Sequence, residues 1–160
     1  VMGSRGSVIP FFLENSKKKK FTITDTKMTR FMISLEEGVQ LVWKAFNDMI
    51  GGEIYVKKIP SIKIVDIAKV IAPKAKHKII GIRPGEKLHE VMISKDDARS
   101  TIELNDRFII QPLLYRNWDK DYYLKKGAKP VQKSFSYTSD QNSEWLNKNQ
   151  ILKILNTNLL

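Results

Sequence analysis

The chain has 160 residues, of which 42% are apolar, and 28 lysines and arginines against 17 acidic residues give it a net charge of +11. This length and apolar share allow one domain with a substantial core and exclude wholesale disorder. No apolar run approaches the ~20 residues that cross a bilayer, and the absence of cysteine excludes disulfides and thiolate metal sites, which fits a reducing cytoplasm.

The first predicted elements are a glycine-serine loop, a helix and a strand. Residues 3–7 form a turn that can bring backbone N–H groups close to a ligand, and Ser7 is a candidate N-cap for a helix over residues 8–16. Residues 21–24 are rich in β-branched side chains and predict a strand. Because the chain opens at Val1 within that loop, we expect it to be a piece of a longer protein.

A capping-box pattern predicts the second helix. Ser34 and Glu37 lie three residues apart, and apolar residues follow at helical spacing to about residue 47. The spacing predicts that Trp43 and Phe46 of this helix, together with Phe31 before it, pack in a core.

Two further strands flank a third helix. Residues 53–56 predict the first of these strands, Pro60 and Ser61 are expected to begin the helix, and Pro73 ends it. Residues 78–82 predict a buried apolar strand. Strands that alternate with helices indicate an α/β fold, in which ligands bind beyond the carboxyl ends of the strands.

The densest charged motif, residues 81–92, follows the last of these strands. We expect its Pro84-Gly85 pair to open a short helix. The planar fork of Arg83 can clamp a pyrophosphate, and the carboxylate of Glu86 can accept hydrogen bonds from ribose hydroxyls. The alternative is that the two side chains form a structural ion pair at the start of that helix.

Other polar residues near this motif are weaker candidates. His89 can act as an acid or base, although a packing histidine bonded to a neighbouring carboxylate is the more common case. It has no second histidine or cysteine partner, so we predict no metal site. After the first strand comes a polar group, which is either part of a site or a solvated loop: Thr24, Asp25, Thr29 and Arg30.

The C-terminal part has a predicted hairpin and a closing helix. Residues 101–104 and 107–111 are expected to pair around Asn105-Asp106, a dipeptide suited to positive φ. Residues 143–155 predict an amphipathic helix. Between them, residues 115–132 mix charges and aromatics and favour no element.

The positive charge leaves a nucleic-acid-binding domain open as an alternative from a different class. Its dense basic run, residues 17–20, is equally typical of the solvated end of a helix. The pair Tyr122-Tyr123 has flanking lysines and can either stack on bases or form a structural aromatic pair.

Taken together, the motifs resemble the inverting UDP-N-acetylglucosamine 4,6-dehydratases, which are extended short-chain dehydrogenases/reductases of the polysaccharide-biosynthesis type. The matching runs are, in order, residues 1–12, 23–31, 51–54, 59–61, 81–92 and 136–155. The resemblance implies the C-terminal part of this NAD(P)-binding Rossmann-like fold. Residues 1–112 would hold late Rossmann elements and the UDP-sugar-binding domain, and residues 113–160 a C-terminal extension with a closing helix.

The resemblance also implies an activity. The expected enzyme is an NADP-dependent lyase that converts UDP-N-acetylglucosamine to UDP-2-acetamido-2,6-dideoxy-β-L-arabino-hex-4-ulose, for pseudaminic acid and surface-glycan synthesis. It would be a cytoplasmic homo-oligomer without a nucleic-acid or membrane partner. Within the same class, a related nucleotide-sugar epimerase or a retaining dehydratase remains the alternative.

Residue roles follow from the same resemblance. The expected NADP contacts are Val1, Met2, Gly3, Ser4 and Arg5. The expected substrate contacts are Val8, Thr24, Arg83 and Glu86, with Arg30 as a further candidate. The family's glycine-rich loop, Tyr-x-x-x-Lys and catalytic Asp-Lys pair are not in this sequence, so we assign no catalytic residue. We therefore expect the chain alone to be inactive and poorly soluble.

Overall fold

A computed structural model of the protein describes residues 8–14, 20–114 and 118–157. The helices in these ranges are α1 (Val8–Glu14), α2 (Leu35–Asp48), α3 (Ile64–Ile71), α4 (Lys120–Lys125) and α5 (Lys148–Thr157), with a 3-10 helix at Asp97–Ser100. The strands are β1 (Lys20–Ile23), β2 (Thr29–Phe31), β3 (Ile54–Lys57), β4 (Ser61–Lys63), β5 (Lys76–Ile79), β6 (Val91–Ile93), β7 (Thr101–Glu103), β8 (Arg107–Ile110), β9 (Lys129–Pro130) and β10 (Tyr137–Thr138).

The chain divides into two compact units that interleave along the sequence. The first unit comprises Val1–Leu35, Ile59–Glu90 and Ser139–Leu160, and the second comprises Glu36–Lys58 and Val91–Thr138. The domain boundary predicted at residue 112 stays a prediction, since it concerns the domains of a longer protein.

The first unit contains two separate strand pairs packed beside helices. Strands β1 and β5 are parallel, with Ile23 opposite Ile79, whereas β2 and β4 are antiparallel, with Arg30 opposite Ile62. Its core is an apolar cluster that includes Ile9, Phe12, Phe21, Ile23, Met28, Ile67, Ala68 and Ile151. Burying an aliphatic or aromatic side chain of this kind contributes about 1.5–3 kcal/mol, so this core fixes β1 and β2 in place.

The second unit is built on a four-stranded antiparallel sheet. The strand order is β3-β8-β7-β9, and β6 and β10 form a separate antiparallel pair. Its core contains Ile102, Ile109, Tyr123 and Ala128. The predicted hairpin of β7 and β8 is confirmed, but no non-glycine residue in the described ranges has a positive φ, so Asn105-Asp106 turns the chain without it.

Three sequence predictions about the first unit are corrected. The third helix begins at Ile64 rather than at Pro60, because residues 61–63 pair with β2 as strand β4. The predicted buried strand at 78–82 is β5 at Lys76–Ile79, and its side chains are exposed or half-buried because β1 is its one strand neighbour in the described chain. No helix follows Pro84, because Gly85 has a φ of 81°, which a right-handed helix does not allow.

Helix α2 was predicted correctly in position but not in packing. Its spacing led us to expect Trp43 and Phe46 in a core, yet they are 65% and 66% exposed, and no residue of α2 is buried. Helical spacing creates an apolar face, but a neighbouring element has to cover it, and none does so within the described residues. Phe31 is 8% exposed, as expected of a core residue.

The closing helix α5 begins at Lys148, later than predicted, because the chain before it is tied to β4. Ser61 and Trp145 form a parallel bridge, and the Leu146 N–H donates to the Ser61 carbonyl oxygen at 2.9 Å. Across the described ranges, no helix is long and apolar enough to cross a bilayer.

Candidate functional site

A tight turn brings Arg83 and Glu86 together. The Glu86 backbone N–H donates to the Arg83 carbonyl oxygen at 3.0 Å, closing a four-residue turn over Pro84 and Gly85. Proline at the second position and a positive-φ glycine at the third are the residue types of a type II turn. The motif that was expected to start a helix therefore places its two functional candidates at the two ends of one turn.

The turn lies beside the end of β1 because the chain after β5 continues along that strand. The Ile80 N–H donates to the Ile23 carbonyl oxygen at 3.0 Å, and the Gly81 N–H donates to the Thr24 carbonyl oxygen at 3.1 Å. The Thr24 hydroxyl then reaches the Glu86 carboxylate at 3.4 Å. Two carboxyl ends of parallel strands thus deliver Thr24 and the turn to one place, as expected for a ligand site in an α/β sheet.

Glu86 and Arg83 do not form the ion pair that was the alternative reading of this motif. The Glu86 carboxylate accepts the Arg83 backbone N–H at 3.2 Å, and no described side chain or carbonyl bonds to the Arg83 guanidinium. Arg83 is exposed and Glu86 is half-buried. An arginine with no partner among the described residues, held next to a fixed carboxylate, is available to bind an anionic ligand.

A second arginine, Arg30, is committed to the protein. Its Nη1 donates to the carbonyl oxygens of Thr29 at 2.7 Å and Leu88 at 3.2 Å, and its Nε lies 3.8 Å from the Glu90 carboxylate. The other oxygen of Glu90 accepts the Phe31 backbone N–H at 2.7 Å. Arg30 and Glu90 therefore fasten residues 88–90 along β2, and their charges offset each other.

These elements surround a cavity of about 540 Å³ in the first unit, lined by residues that include Val8, Thr24, Arg30, Arg83, Glu86 and Glu90. This volume lies in the range of small-molecule pockets, which bind with few polar groups on a largely apolar wall. The apolar part of the wall comes mainly from α1 and from residues in or next to β1 and β2, with side chains such as Phe12 and Met28.

All four residues predicted to contact the substrate, Val8, Thr24, Arg83 and Glu86, line this one cavity, and so does Arg30. Their role in ligand binding stays a prediction. The residues predicted to contact NADP, Val1 to Arg5, lie outside the described part of the chain, as do residues 17–19 of the basic run.

Sequence reasoning missed two features of the site. Glu90 was noted only as a neighbour of His89, although it lines the cavity and anchors β2. His89 itself is bonded to the Thr29 hydroxyl at 2.8 Å rather than to a carboxylate. Arg30, the central residue of β2, was a usable signal for Glu90, because such a charge requires a partner when it is partly buried.

A second polar cluster, in the second unit, has the character of a structural network. The Tyr123 hydroxyl donates to Glu53 at 2.6 Å, so the Tyr55 hydroxyl, 2.6 Å away, is the donor to Tyr123. Burial, and then the hydrogen bond to Glu53, raise the pKa of Tyr123 well above its ordinary value of 10.0. The pKa of Glu53 is lowered: burial opposes this, but hydrogen bonds from Tyr123 and Trp118 and from backbone N–H groups outweigh it.

This cluster supports packing rather than chemistry. Tyr123 is fully buried, and its ring contacts the rings of Tyr55, Tyr122 and Trp118 with centroid distances of 5.0–6.5 Å. The pair Tyr122-Tyr123 is thus structural, with one ring not accessible to bases. In the described ranges, no group of three or more metal-ligating side chains is placed to hold an ion.

Comparison with known proteins shows which family the chain resembles. The sequence profile described as "Polysaccharide biosynthesis protein" matches residues 1–112. The inverting UDP-N-acetylglucosamine 4,6-dehydratase of Campylobacter jejuni is 50% identical over 163 residues, which cover 98% of this chain and 48% of that protein. A UDP-glucose 4-epimerase of Rickettsia canadensis is 38% identical, over 98% of this chain and 47% of that protein.

The fold has a solved counterpart. The X-ray structure of Pen from Bacillus thuringiensis superposes with a TM-score of 0.79 and 35% identity, covering all of this chain and 48% of that one. The chain thus spans about half the length of the relatives it matches. The α/β fold predicted from the sequence, the C-terminal part of an extended short-chain dehydrogenase/reductase, is confirmed, and the chain belongs to the polysaccharide biosynthesis protein family.

Proposed function

We propose that this chain supplies the UDP-sugar-binding part of a nucleotide-sugar 4,6-dehydratase that acts on UDP-N-acetylglucosamine with inversion at C5. The observation that carries the proposal is the unpaired Arg83 guanidinium beside Glu86 at the cavity, among the described residues of a chain that is 50% identical to an enzyme of that name. Arg83 would bind the diphosphate, and Glu86 would accept hydrogen bonds from ribose hydroxyls.

The described residues would have different roles in binding the UDP-sugar. Glu90 offsets the charge of Arg30, which leaves Arg83 to meet a diphosphate, and Thr24 holds the Glu86 carboxylate in place. The apolar wall that includes Val8 would exclude water from the sugar. We assign no proton transfer to these residues, because no two of them form an acid and a base that face a common point.

The overall conversion is the loss of one water molecule from C5 and C6 of the sugar, with a carbonyl formed at C4. A nicotinamide cofactor, which we propose to be NADP, would supply reversible hydride transfer, so the conversion would involve no net oxidation. The proposed contacts of this cofactor, Val1 to Arg5, lie outside the described residues. We further propose a cytoplasmic homo-oligomer that serves surface-glycan synthesis.

The family description supports the role in polysaccharide synthesis. The cytoplasmic location, the homo-oligomeric state and the role in pseudaminic acid synthesis remain parts of the proposal, supported by the sequence resemblance. Each of them is open to direct measurement on the purified protein and on cell fractions.

The test uses a fusion of this chain with the remaining half of the Campylobacter jejuni dehydratase, because the chain spans about half of that relative. Calorimetry with UDP should show that Arg83→Ala weakens binding about 10- to 100-fold, the loss expected for hydrogen bonds to a charged group. Arg83→Lys keeps the charge but not the planar fork, so its affinity for UDP should lie between that of the parent protein and that of Arg83→Ala. Unchanged UDP affinity in Arg83→Ala would show that the site is misassigned.

Product analysis separates this proposal from its relatives in the same class. NMR of the fusion's product should show a methyl group at C6, a carbonyl carbon at C4 and inverted configuration at C5. A product that keeps its C6 hydroxyl would indicate an epimerase, and retained configuration at C5 would indicate a retaining dehydratase. Binding of duplex DNA with a steep salt dependence would instead favour the nucleic-acid alternative.

A further inference from the structure

A buried hydroxyl lies behind the cavity and joins three segments of the first unit. The Thr29 Oγ1 is 2.8 Å from His89 Nδ1 and 2.7 Å from Ser139 Oγ. The Ser139 Oγ in turn accepts the Glu90 backbone N–H at 2.8 Å. Thr29 and Ser139 are 2% and 0% exposed, so water does not replace these bonds.

Two hydrogen-bond arrangements of this cluster fit the distances. If Thr29 donates its proton to Ser139, it accepts one from His89 Nδ1; if Ser139 donates to Thr29, Thr29 donates to an unprotonated His89 Nδ1. In both arrangements the Ser139 oxygen still accepts from Glu90. Removing the Thr29 hydroxyl leaves a buried serine and a histidine nitrogen without this partner, and that loss is costly inside a protein.

The cluster is connected to the ligand-binding turn by a very short stretch of chain. His89 and Glu90 lie three and four residues after Glu86, and the Leu88 carbonyl oxygen accepts the Thr29 backbone N–H at 3.1 Å. Consecutive Cα atoms are 3.8 Å apart, so movement of residues 88–90 away from β2 displaces Glu86 directly. On its other side the turn is held through the bond from the Gly81 N–H to Thr24.

The third segment comes from far along the chain. Ser139 lies 53 residues after Glu86, and its backbone N–H donates to the Glu90 carbonyl oxygen at 2.9 Å. Residues 88–90 are therefore held between β2 on one side and Ser139 on the other. Within the described residues, Thr29, His89 and Ser139 are not part of the cavity wall, so they act on a ligand only through neighbours that line it, which are Glu90 and the turn.

We propose that Thr29 and Ser139 are positioning residues for ligand binding by Arg83 and Glu86. Their hydroxyls lock residues 88–90 against β2 and so fix the turn at the distance from Thr24 that the ligand requires. This inference rests on the proposed function of the cavity, and it assigns a binding role to a C-terminal segment that makes no contact with the cavity.

The experiment compares Thr29→Val with Thr29→Ser in the fusion protein, with UDP as the probe in calorimetry. Valine has the shape of threonine but no hydroxyl, and we expect it to weaken UDP binding about tenfold. Serine restores the hydroxyl, so its affinity should lie within about twofold of the parent protein. In turnover assays the Thr29→Val variant should raise KM and leave kcat nearly unchanged, because Thr29 touches no reacting atom.

Thr101→Val is the matched control. Thr101 is also 2% exposed, and its hydroxyl donates to the Asp97 carbonyl oxygen at 2.8 Å in the second unit. This variant removes a buried hydroxyl with no bond to residues 88–90, so it should lower the melting temperature without changing UDP affinity. Equal losses of affinity in Thr29→Val and Thr101→Val would overturn the inference, because a general loss of stability would then explain both.

A variant at a half-buried position covers the case in which Thr29→Val does not fold. His89→Ala removes one partner of the Thr29 hydroxyl, and we expect it to weaken UDP binding about threefold or more. Parent-like affinity in a folded His89→Ala or Thr29→Val protein would overturn the inference. If Arg83→Ala also leaves binding unchanged, the proposed function itself fails; if only Arg83→Ala weakens binding, the inference alone fails.

Discussion

Two arginines show how the two units use the same side chain for opposite purposes. In the second unit Arg107 is 4% exposed, forms ion pairs with Asp48 and, at 2.9 Å, with Asp106, and lies over the Tyr55 ring. In the first unit Arg83 is exposed at a cavity, and no described carboxylate pairs with its guanidinium. A neutralised buried charge serves the fold, whereas an uncommitted charge at a cavity is available to a ligand.

The largest effect is expected from Arg107→Ala. Removing one member of a buried ion pair leaves the other without compensation, which costs about 3–5 kcal/mol. Lys126 remains 2.7 Å from Asp48 and Lys44 remains 2.6 Å from Asp106, so we expect the lower end, about 3 kcal/mol. Chemical denaturation measures this change in the free energy of unfolding.

Arg99→Ala is the control for that prediction. The Arg99 side chain is 75% exposed and its ion pair with Asp96 is 3.6 Å long, so its removal should change the free energy of unfolding by less than about 0.5 kcal/mol. If Arg107→Ala were as mild as Arg99→Ala, the buried network would not hold the second unit together and the contrast between the two arginines would disappear.

Tyr123→Phe should have the next largest effect. The change removes the hydroxyl that donates to Glu53 and leaves a carboxylate oxygen and the Tyr55 hydroxyl short of a partner, while the ring packing is kept. We expect a loss of about 1–3 kcal/mol, measured by denaturation. Tyr122→Phe, which keeps the bond to Glu53, is the matched control, and equal losses in the two variants would contradict the assigned network.

The pH dependence of Glu53 gives a smaller effect. Its pKa in the folded protein lies below the ordinary value of 4.5, so its contribution to stability is present above that value and is lost as pH falls through the lower folded pKa. Glu53→Gln should therefore lose less stability than the parent between about pH 6 and about pH 3. Asp97 and Asp106, whose pKa values are also lowered, titrate in both proteins and cancel in the difference. Parallel pH profiles of the two proteins would count against the bonds assigned to Glu53.

The sequence predicted the elements better than their surroundings. The capping box at Ser34 located α2, and the Asn105-Asp106 pair located the turn between β7 and β8, because these signals depend on neighbours in the chain. Burial of Trp43 depends on what covers the helix face, and that is set by distant segments rather than by spacing.

The sequence identified the charged residues of the candidate site but not the hydrogen bonds that hold them in place. Arg83 and Glu86 stood out as a charged pair after a strand, although the sequence indicated a helix where Gly85 makes a turn. The bonds of Thr29 to His89 and Ser139 join residues that are 60 and 110 positions apart, and no local pattern reports such a contact.

The smallest effect on stability is expected from Arg83→Ala, and this variant tests the contrast between Arg83 and Arg107 most directly. The guanidinium is exposed and bonds to no described residue, so the free energy of unfolding should change by less than about 0.5 kcal/mol in the fusion protein. Arg107→Ala should show the reverse, with reduced stability but unchanged UDP affinity at temperatures where the protein remains folded. A large loss of stability in Arg83→Ala would mean that this arginine has a structural partner, and its assignment to the ligand would then fail together with the contrast between the two units.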